Sequence, residues 1–438
     1  MSAVEAVEAV EYAENVVIGA GQQGCGVAGA LQEVGRDALV LERGEIGQAW
    51  AHERWDSLLI GSGNRSVRFP GREYEGDDPY GCPSGPELAR LLRRYVTERG
   101  LRVRQHTAVQ RVECPPDAAA GDDVRFRTHL ATGVVESRNL VAAVGGYAAP
   151  RTPALAADVA RAVHQLHSHA YRNPASLPDG AVLVVGAGIS GQQIADELAD
   201  AGRRTFLAVG RHRAWPRRYR GRSIQEWIGA LPSLYEEFGT VVGDGGPVLP
   251  GLPVTAVRDK RDDLNLGTLA AKGVTLVGSV RAADGHELHL KDNVVAVAEE
   301  SARSFRQAVD LIDTRIRQRG FVAPQERPAP EVPLAHVADF GERLDLARHG
   351  IATIVWCTGF GPDYRILPDH VLDEHGAPIQ EKGLLGALPG LYYAGLPDGN
   401  DIAPVGIAAN VENGRYLARL IHVDHVLRSG APAALVTA

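Results

Sequence analysis

Six glycines occur in two groups whose spacing suits the binding of a phosphate group. Gly19, Gly21 and Gly24 form a Gly-x-Gly-x-x-Gly pattern, and a second copy of the pattern occupies residues 186–191. Glycine lets the backbone approach a pyrophosphate closely, and the N-terminus of a following helix favours negative charge. One such pattern alone is weak evidence, so its meaning depends on the elements on either side.

The residues around the first pattern predict a strand, a glycine turn, a helix and a second strand. The run NVVIGA at 15–20 is typical of a buried strand, and DALVLE at 37–42 predicts the next one. Glu42 ends that second strand, eighteen residues after Gly24. An acid at this place accepts hydrogen bonds from ribose hydroxyls, so we favour a dinucleotide site over a glycine turn that only packs helix on strand.

The second pattern has the same surroundings but a different residue in the place of the acid. Its strands are AVLVV at 181–185 and RTFLAV at 204–209, and Arg211 follows Gly191 by twenty residues. A guanidinium group at this place suits a ribose 2′-phosphate, which an acid would repel. The second unit is therefore predicted to bind NADP(H).

Arg211 begins a strongly basic segment, RHRAWPRRYRGR, which contains six arginines between residues 211 and 222. We expect Arg211 and Arg213 to contact the coenzyme directly. A solvated basic face is one alternative and a nucleic-acid patch is another. The chain as a whole has a formal net charge of −8, which disfavours general binding to nucleic acid or to anionic membranes.

These units must be positioned by parallel sheets. We predict an α/β fold with two Rossmann-like dinucleotide-binding domains, in which the parallel sheets are flanked by helices. A length of 438 residues allows two or three domains. We expect a discontinuous first domain, residues 1–160 and 346–438, with the second domain, residues 161–345, inserted into it. One site should hold a flavin and the other an exchangeable nicotinamide, and spacing alone does not say which.

The order of several further motifs resembles that of the flavin-containing monooxygenases, within the wider class B flavoprotein monooxygenases. After the first glycine pattern come LERGEIGQAW (41–50), RWDSLLIGSGN (54–64) and RFPG (68–71). The second glycine pattern and WCTGFGPDY (356–364) complete the order. The resemblance spans residues 15–422. It implies an FAD- and NADPH-dependent monooxygenase that adds one oxygen atom from O₂ to a nitrogen or sulfur centre through a C4a-(hydro)peroxyflavin.

The resemblance also implies roles for individual residues. Asn64 matches an asparagine that in the family lies beside the reactive flavin edge, and it is the predicted catalytic residue. The FAD-binding residues would be Gly19, Gly21, Gly24, Glu42, Arg43, Gln48 and Trp50. The NADPH-binding residues would be Gly186, Gly188, Ser190 and Gly191, with Arg211 and Arg213, and the linker between the domains would contain Thr358 and Gly359.

One family motif is altered. His167, Ser168 and Tyr171 are in register with the family signature, but Arg161 and Val163 replace its usual Phe and Gly. Without a Trp-Pro ending, heteroatom oxygenation is favoured over Baeyer–Villiger insertion. An NADPH-dependent FAD oxidase or reductase that produces H₂O₂ or reduces another acceptor remains an alternative, as does a non-catalytic flavin-fold binding protein.

Cysteine and metal chemistry are not expected. The four cysteines stand far apart, and none forms a Cys-x-x-Cys pair. The histidines of HQLHSH at 164–169 lack further ligands nearby, so we read this stretch as a surface loop and expect no metal site.

No secretory signal or run of about 18–20 apolar residues is present, which predicts a soluble cytoplasmic protein. A small-molecule substrate and O₂ are the expected partners, and a homodimer is left open.

Overall fold

The structure is a computed structural model, which describes residues 9–114, 122–210, 212–231, 240–241, 249–250, 256–259, 263–325, 341–396, 407 and 409–430. Arg211 lies outside these ranges, so its predicted contact with the coenzyme is based on sequence alone.

The first sheet has seven strands, five of which run parallel. Short runs of buried residues form the inner parallel strands Asn15–Ile18, Leu39–Leu41 and Asn139–Ala142, because both faces of the sheet are covered there. The strand that precedes the first glycine pattern lies in the middle of the parallel part. In spatial order the strands are Gln380–Glu381, Leu385–Gly386, Leu391–Tyr393, Asn139–Ala142, Asn15–Ile18, Leu39–Leu41 and Arg102–Arg104.

Each face of the first sheet is covered by a different layer. Val17 and Val40 point to one face, where three helices pack, namely Gln22–Glu33, Gly85–Arg99 and Ala409–Ser429. Val16 and Leu39 point to the other face, because side chains alternate along a strand. A four-stranded sheet covers that second face, in the order Val10–Tyr12, Gly133–Ser137, Phe126–Leu130 and Val109–Glu113.

The second sheet has five strands, and all of them are parallel. The strand that precedes the second glycine pattern lies at its centre. Leu183 and Phe206 face a three-stranded antiparallel sheet, whereas Val184 and Leu207 face helices. In spatial order the strands are His164–His167, Ile351–Trp356, Ala181–Val185, Thr205–Val209 and Thr275–Gly278.

Two sequence-based assignments disagree with this sheet. The strand Ile351–Trp356, which the predicted boundary at 346 gave to the first domain, pairs with Ala181–Val185 in the second sheet. The chain therefore leaves the second sheet after residue 356, and we propose the domain boundary there. The segment His164–His167 is also not a surface loop, because it forms an edge strand parallel to Ile351–Trp356.

The remaining elements complete the two units and connect them. The other α-helices are Gln48–His52, Ile189–Asp200, Ile224–Ala230, Leu266–Ala271 and Val294–Arg319. The 3-10 helices are Asn64–Ser66, Ala154–Asp158, Pro174–Ser176 and Asp369–Val371. The three-stranded sheet is formed by Val280–Asp284, Glu287–Leu290 and Arg343–Asp345. The two-stranded pairs are Ala149–Pro150 with Phe360–Gly361, Arg218–Tyr219 with Arg222–Ser223, Thr240–Val241 with Leu249–Pro250, and Ala256–Val257 with Asp263–Leu264.

The architecture confirms the predicted α/β fold class with two largely parallel sheets. Helices pack on one face of each sheet, and a smaller β-sheet packs on the other. Within the described ranges, none of the helices combines the length and apolar character that crossing a bilayer requires.

Candidate nucleotide-binding and active site

The first phosphate loop, residues 19–24, follows the central strand of the parallel part of the first sheet. Gly19 has a φ of 106°, and a Cβ atom there would lie 2.5 Å from the carbonyl oxygen of Ala143. A Cβ at Gly24 would lie 1.9 Å from the carbonyl oxygen of Gly19. A Cβ at Gly21, in contrast, would meet no described atom within 4 Å. The outer glycines thus serve backbone packing, and the middle glycine borders open space.

The second phosphate loop, residues 186–191, repeats this geometry in the second sheet. Gly186 has a φ of 108°, and its Cβ would lie 2.4 Å from the carbonyl oxygen of Cys357. A Cβ at Gly191 would lie 1.7 Å from the carbonyl oxygen of Gly186, whereas one at Gly188 would meet no atom of the described chain within 4 Å. The two loops, whose sequences differ only at the two residues before the last glycine, therefore present the same opening at the same place.

Both loops end at the N-terminus of a helix that has no side-chain N-cap hydrogen bond. Gly21 and Gly188 are the N-cap residues, and neither can offer a side-chain oxygen to the first turn. Neither first turn contains an acidic residue. Backbone N–H groups at such an end lack intrahelical partners and favour an anion. The pyrophosphate of a dinucleotide fits the open space beside each middle glycine, where these N–H groups can donate hydrogen bonds to it.

The outer glycines give a stability prediction. Replacing Gly24 or Gly191 by alanine should lower the free energy of unfolding by about 1–3 kcal/mol, because the new Cβ collides with a backbone carbonyl that cannot rotate away. Thermal unfolding of the cofactor-free proteins measures the change. Gly21→Ala is the matched control and should leave the melting temperature of the cofactor-free protein close to that of the unmodified one. Equal melting temperatures for all three variants would contradict the packing role.

Glu42 is fixed against the first phosphate loop. It is 7% exposed, and its Oε2 accepts a hydrogen bond from the backbone N–H of Ala20 at 2.7 Å. Its Oε1 accepts one from the backbone N–H of Gly44 at 2.9 Å. A carboxylate has about four acceptor positions, so these two bonds orient Glu42 and leave it capacity for ribose hydroxyls.

The other predicted flavin-binding residues follow on the next segment. The N–H of Gly47 donates to the carbonyl of Ala20 at 3.0 Å, which holds the short helix Gln48–His52 against the loop. Trp50 Nε1 donates to Gln22 Oε1 at 2.8 Å. Gln48 Oε1 accepts from the N–H of Glu45 at 3.2 Å. Arg43, however, is 59% exposed and pairs with Glu53 at 2.7 Å.

The basic segment contacts the second phosphate loop at His212. His212 Nδ1 donates to the carbonyl oxygen of Ala187 at 2.8 Å, and burial lowers the pKa of His212. The N–H of Ala214 donates to Ser301 Oγ at 2.8 Å, which holds the segment on the helix Val294–Arg319. Arg213 is half-buried between these contacts, and its burial lowers the pKa of the guanidinium group.

Three of the later arginines of the segment, Arg217, Arg218 and Arg220, contact other groups of the protein. Arg217 is buried and its Nη2 donates to the carbonyl oxygen of Tyr80 at 2.7 Å. The guanidinium group of Arg218 lies 4.3 Å from the centroid of the Tyr80 ring. Arg220 forms a two-pronged ion pair with Asp313, with Nε–Oδ1 and Nη2–Oδ2 distances of 2.7 and 3.0 Å. These contacts disagree with a continuous basic face for nucleic acid.

The two linkers between the sheets are joined to each other. Ala149–Pro150 and Phe360–Gly361 form an antiparallel pair. Thr358 Oγ1 donates to the carbonyl of Arg151 at 2.5 Å, and the N–H of Arg151 donates to the carbonyl of Gly359 at 3.0 Å. His167 Nε2 donates to the same Gly359 carbonyl at 3.0 Å. The predicted linker residues Thr358 and Gly359 therefore join the two linker segments by hydrogen bonds.

Asn64 begins a 3-10 helix on a segment that also touches the second unit. Its Nδ2 donates to the carbonyl of Asp78 at 2.9 Å, which fixes the amide plane. Five residues earlier, Leu59 exchanges two hydrogen bonds with the side chain of Gln193, at 3.2 and 2.9 Å. Gln193 belongs to the helix that starts at the second phosphate loop. The Asn64 segment is thereby fastened between the two predicted nucleotide sites.

The cysteines have the properties of packing residues. All four thiols are unpaired, and Cys25, Cys82 and Cys114 are buried. Burial raises the pKa of Cys25 and of Cys357 to about 12, so neither is a thiolate near neutral pH. Among the residues with described positions, no group of three or more His, Cys, Asp or Glu side chains could hold a metal ion.

Several residues at the site were missed by the sequence reasoning. Gln22, Gln193 and His212 each hold a loop in place, and Arg54 lies at the junction of the two linkers. Gln22 and Gln193 could have been noticed, because each lies within or just after a glycine pattern. Nothing in the local sequence indicates the partner of Gln193, which is 134 residues away.

Two sheets, each with a glycine loop after a strand in the middle of its parallel part, are the arrangement expected of an oxidoreductase with two dinucleotide sites. Residues 16–230 match the model of a family described as pyridine nucleotide-disulphide oxidoreductase. The oxidoreductase CzcO of Bacillus subtilis is 30% identical over 270 residues, which cover 59% of this chain and 74% of that protein. The chain therefore belongs to the same family as the CzcO oxidoreductase.

Further relatives and solved structures agree with this family. The CzcO of Bacillus velezensis is 27% identical over 88% of this chain and 92% of its own length. The rice indole-3-pyruvate monooxygenase YUCCA1 is 30% identical over 44% of this chain and 47% of its own length. A flavin-containing monooxygenase from Stenotrophomonas maltophilia has the same fold, with a TM-score of 0.62, 21% identity, and coverage of 94% of this chain and 99% of that one.

A disulfide reductase also shares the fold. The bacillithiol disulfide reductase of Staphylococcus aureus matches with a TM-score of 0.57 and 16% identity, and covers 95% of this chain and 99% of that one. The predicted resemblance to flavin-containing monooxygenases and the predicted class, a flavin-dependent oxidoreductase, are confirmed. The roles of the individual site residues stay predictions.

Proposed function

We propose that this protein is an FAD- and NADPH-dependent monooxygenase that transfers one oxygen atom from O₂ to a nitrogen or sulfur centre of a small molecule. The observation that carries the proposal is the pair of phosphate loops, each with an open middle glycine and an uncapped helix behind it. A single loop would suit many nucleotide-binding proteins. Two loops whose linkers are hydrogen-bonded to each other suit an enzyme in which one nucleotide reduces the other.

We assign FAD to the first loop and NADPH to the second. Glu42 is a buried and fixed acceptor beside the first loop, which suits a ribose with free hydroxyls. The second unit has no acid at the corresponding place and has Arg211 and Arg213 instead. A guanidinium group there suits a 2′-phosphate. The open middle glycines fit both groups.

When bound, FAD supplies the electron transfer from NADPH and the activation of O₂, which no side chain can supply. The residues of this chain bind and orient the cofactors and shield them from water. Glu42 holds the ribose, the helix that follows Gly21 holds the pyrophosphate, and Gln22 orients Trp50. Asn64 has one amide N–H committed to Asp78, and its other N–H has no partner among the described residues. That second N–H can donate a hydrogen bond to the oxygen being transferred.

Three alternative reactions would use the same fold. A disulfide reductase needs a reactive thiol, and the buried cysteines with raised pKa values do not support one. An NADPH oxidase would consume NADPH and release H₂O₂ whatever compound is offered. Baeyer–Villiger insertion would break the bond between a carbonyl carbon and its neighbour and place the oxygen atom between them, instead of adding it to a nitrogen or sulfur atom.

The proposal is tested by supplying isotopically labelled O₂ with NADPH and a tertiary amine, a thioether or a cyclic ketone. We expect labelled oxygen in the amine or the thioether, with product formed in proportion to the NADPH consumed. Stoichiometric H₂O₂ with no labelled product from any probe would support the oxidase instead. Labelled product from the ketone alone would support Baeyer–Villiger insertion.

The role of Asn64 has its own test. In Asn64→Ala we expect labelled product per NADPH to fall roughly tenfold and H₂O₂ to rise correspondingly, because a hydrogen bond to a charged group contributes about 1.5–3 kcal/mol. Reduction of the flavin by NADPH should be little changed. Ser66→Ala, in the same 3-10 helix, is the matched control and should keep normal coupling. Unchanged coupling in Asn64→Ala would contradict the role.

A further inference from the structure

Arg54 is a half-buried cation, and among the residues with described positions it has no carboxylate partner. Its guanidinium carbon lies 5.2 Å from the centroid of the Phe360 ring and 6.0 Å from that of Tyr147. Its Nη1 donates to the carbonyl of Glu53 at 2.6 Å, but the Glu53 carboxylate pairs with Arg43. Within the described ranges no carboxylate lies within ion-pair distance of Arg54. Burial lowers its pKa, so the positive charge has a free-energy cost that a bound anion would offset.

A second guanidinium group increases the positive potential at this place. Arg172 Nη1 donates to the carbonyls of His169, Tyr171 and Arg54, at 2.8, 3.0 and 3.2 Å, and it too has no described carboxylate partner. The Nδ1 atom of His169 is buried, and no described atom forms a hydrogen bond with it. Burial lowers the pKa of His169, so at neutral pH it adds a polar group rather than another charge.

These groups lie where the two linkers leave their sheets. Tyr147 follows Ala143 by four residues, and the Ala143 carbonyl contacts the first phosphate loop at Gly19. Phe360 follows Cys357 by three residues, and the Cys357 carbonyl contacts the second loop at Gly186. The cluster of Arg54, Tyr147, Phe360 and His169 is therefore at the junction between the two nucleotide sites, where a substrate must be held.

The rings give the cluster an accessible apolar side. Tyr147 is 60% exposed, and its ring meets that of Phe360 edge to face with centroids 5.7 Å apart. His167 packs edge to face on the same Phe360 ring at 4.7 Å, which holds the ring in place. A planar ligand can pack on Tyr147 while an anionic group on it reaches the guanidinium fork.

We propose that Arg54 binds the carboxylate of a small aromatic substrate, with Tyr147 and Phe360 contacting the rest of the molecule. That the ligand is a substrate rests on the proposed function, but the binding itself does not require turnover. A guanidinium fork offers two parallel N–H donors to a carboxylate, which the rings and His169 cannot do alone. The site differs from the phosphate loops, because its donors are side chains rather than a helix N-terminus.

The test compares the binding of two matched probes, phenylacetate and its neutral amide phenylacetamide, to the purified full-length protein by calorimetry. We expect the unmodified protein to bind phenylacetate at least about tenfold more tightly than phenylacetamide. Arg54→Gln should weaken phenylacetate binding by about ten- to a hundredfold and leave phenylacetamide unchanged. Tyr147→Ala should weaken both probes equally, since it removes contact area and no charge.

Controls separate this site from folding defects and from the coenzyme site. Arg90→Gln, on an exposed part of the helix Gly85–Arg99, should leave both probes unaffected. If Arg54→Gln does not fold, Arg54→Lys replaces it in the comparison, because lysine keeps the positive charge. We then expect an intermediate loss of phenylacetate binding.

Equal binding of the two probes to the unmodified protein would overturn the proposal. Loss of NADP⁺ binding in Arg54→Gln with phenylacetate unaffected would also overturn it, and would assign the guanidinium group to the coenzyme. Failure of oxygenation with carboxylate binding intact would contradict only the proposed function.

Discussion

Replacing Gly21 by valine is expected to give a folded, colourless protein that no longer retains FAD but still binds NADP⁺. The reciprocal change, Gly188→Val, is expected to leave a yellow protein that NADPH no longer reduces. Both glycines have extended backbone conformations, with φ of −80° and −74°, which valine adopts readily. In either case no described atom lies within 4 Å of the place that a Cβ would occupy, so the fold has room for the side chain.

The effect should be large because that room is where we place each pyrophosphate. Filling closely packed space costs about 1–3 kcal/mol, and the branched side chain also screens the helix N–H groups, so we expect affinity losses of about a hundredfold or more. Flavin content after purification and NADP⁺ binding by calorimetry measure the two losses. Each variant is the matched control of the other. Loss of both nucleotides in both variants would show general damage, and loss of neither would contradict the assignment of the loops.

The second large effect concerns the choice between NADPH and NADH. In the double variant Arg211→Gln and Arg213→Gln, we expect kcat/KM for NADPH to fall about a hundredfold, because two charged hydrogen bonds to the 2′-phosphate are lost. The value for NADH should change less than about twofold, since NADH has no such phosphate. Arg213→Gln alone should account for part of the loss. Steady-state NADPH and NADH oxidation provide the measurement.

A neighbouring arginine supplies the control for that experiment. Arg222 is exposed in the same basic segment, and Arg222→Gln should leave the NADPH-to-NADH ratio unchanged. A general electrostatic effect of the segment would lower the ratio in both variants. An equal loss for NADPH and NADH in the double variant would contradict a contact with the 2′-phosphate.

The parts of the fold that follow local rules could be predicted from the sequence. The strand Asn15–Ile18, the helix Gln22–Glu33 and their counterparts at 181–200 are indicated by apolar runs that lead into glycine patterns. The fixed position of Glu42 beside the first loop follows from the same βαβ unit. These elements are local because every part of the unit lies within about thirty residues.

The parts that depend on distant pairing could not be predicted. The strand Ile351–Trp356 enters the second sheet between two strands from much earlier in the chain, and its apolar run would have suited either sheet. The strand His164–His167 is an edge strand with two histidines, so its composition resembles a loop. The cluster around Arg54 unites residues from four separate segments, which only the closure of the linkers brings together.

The most direct test of the whole account is anaerobic titration of the purified, unmodified protein with NADPH and, separately, with NADH. We predict a yellow protein whose visible flavin absorbance is lost on addition of NADPH, and which requires roughly a hundredfold more NADH for the same rate of loss. A colourless protein that takes up no added FAD would contradict two dinucleotide sites, and equal reduction by NADH and NADPH would contradict the arginine-selected second site.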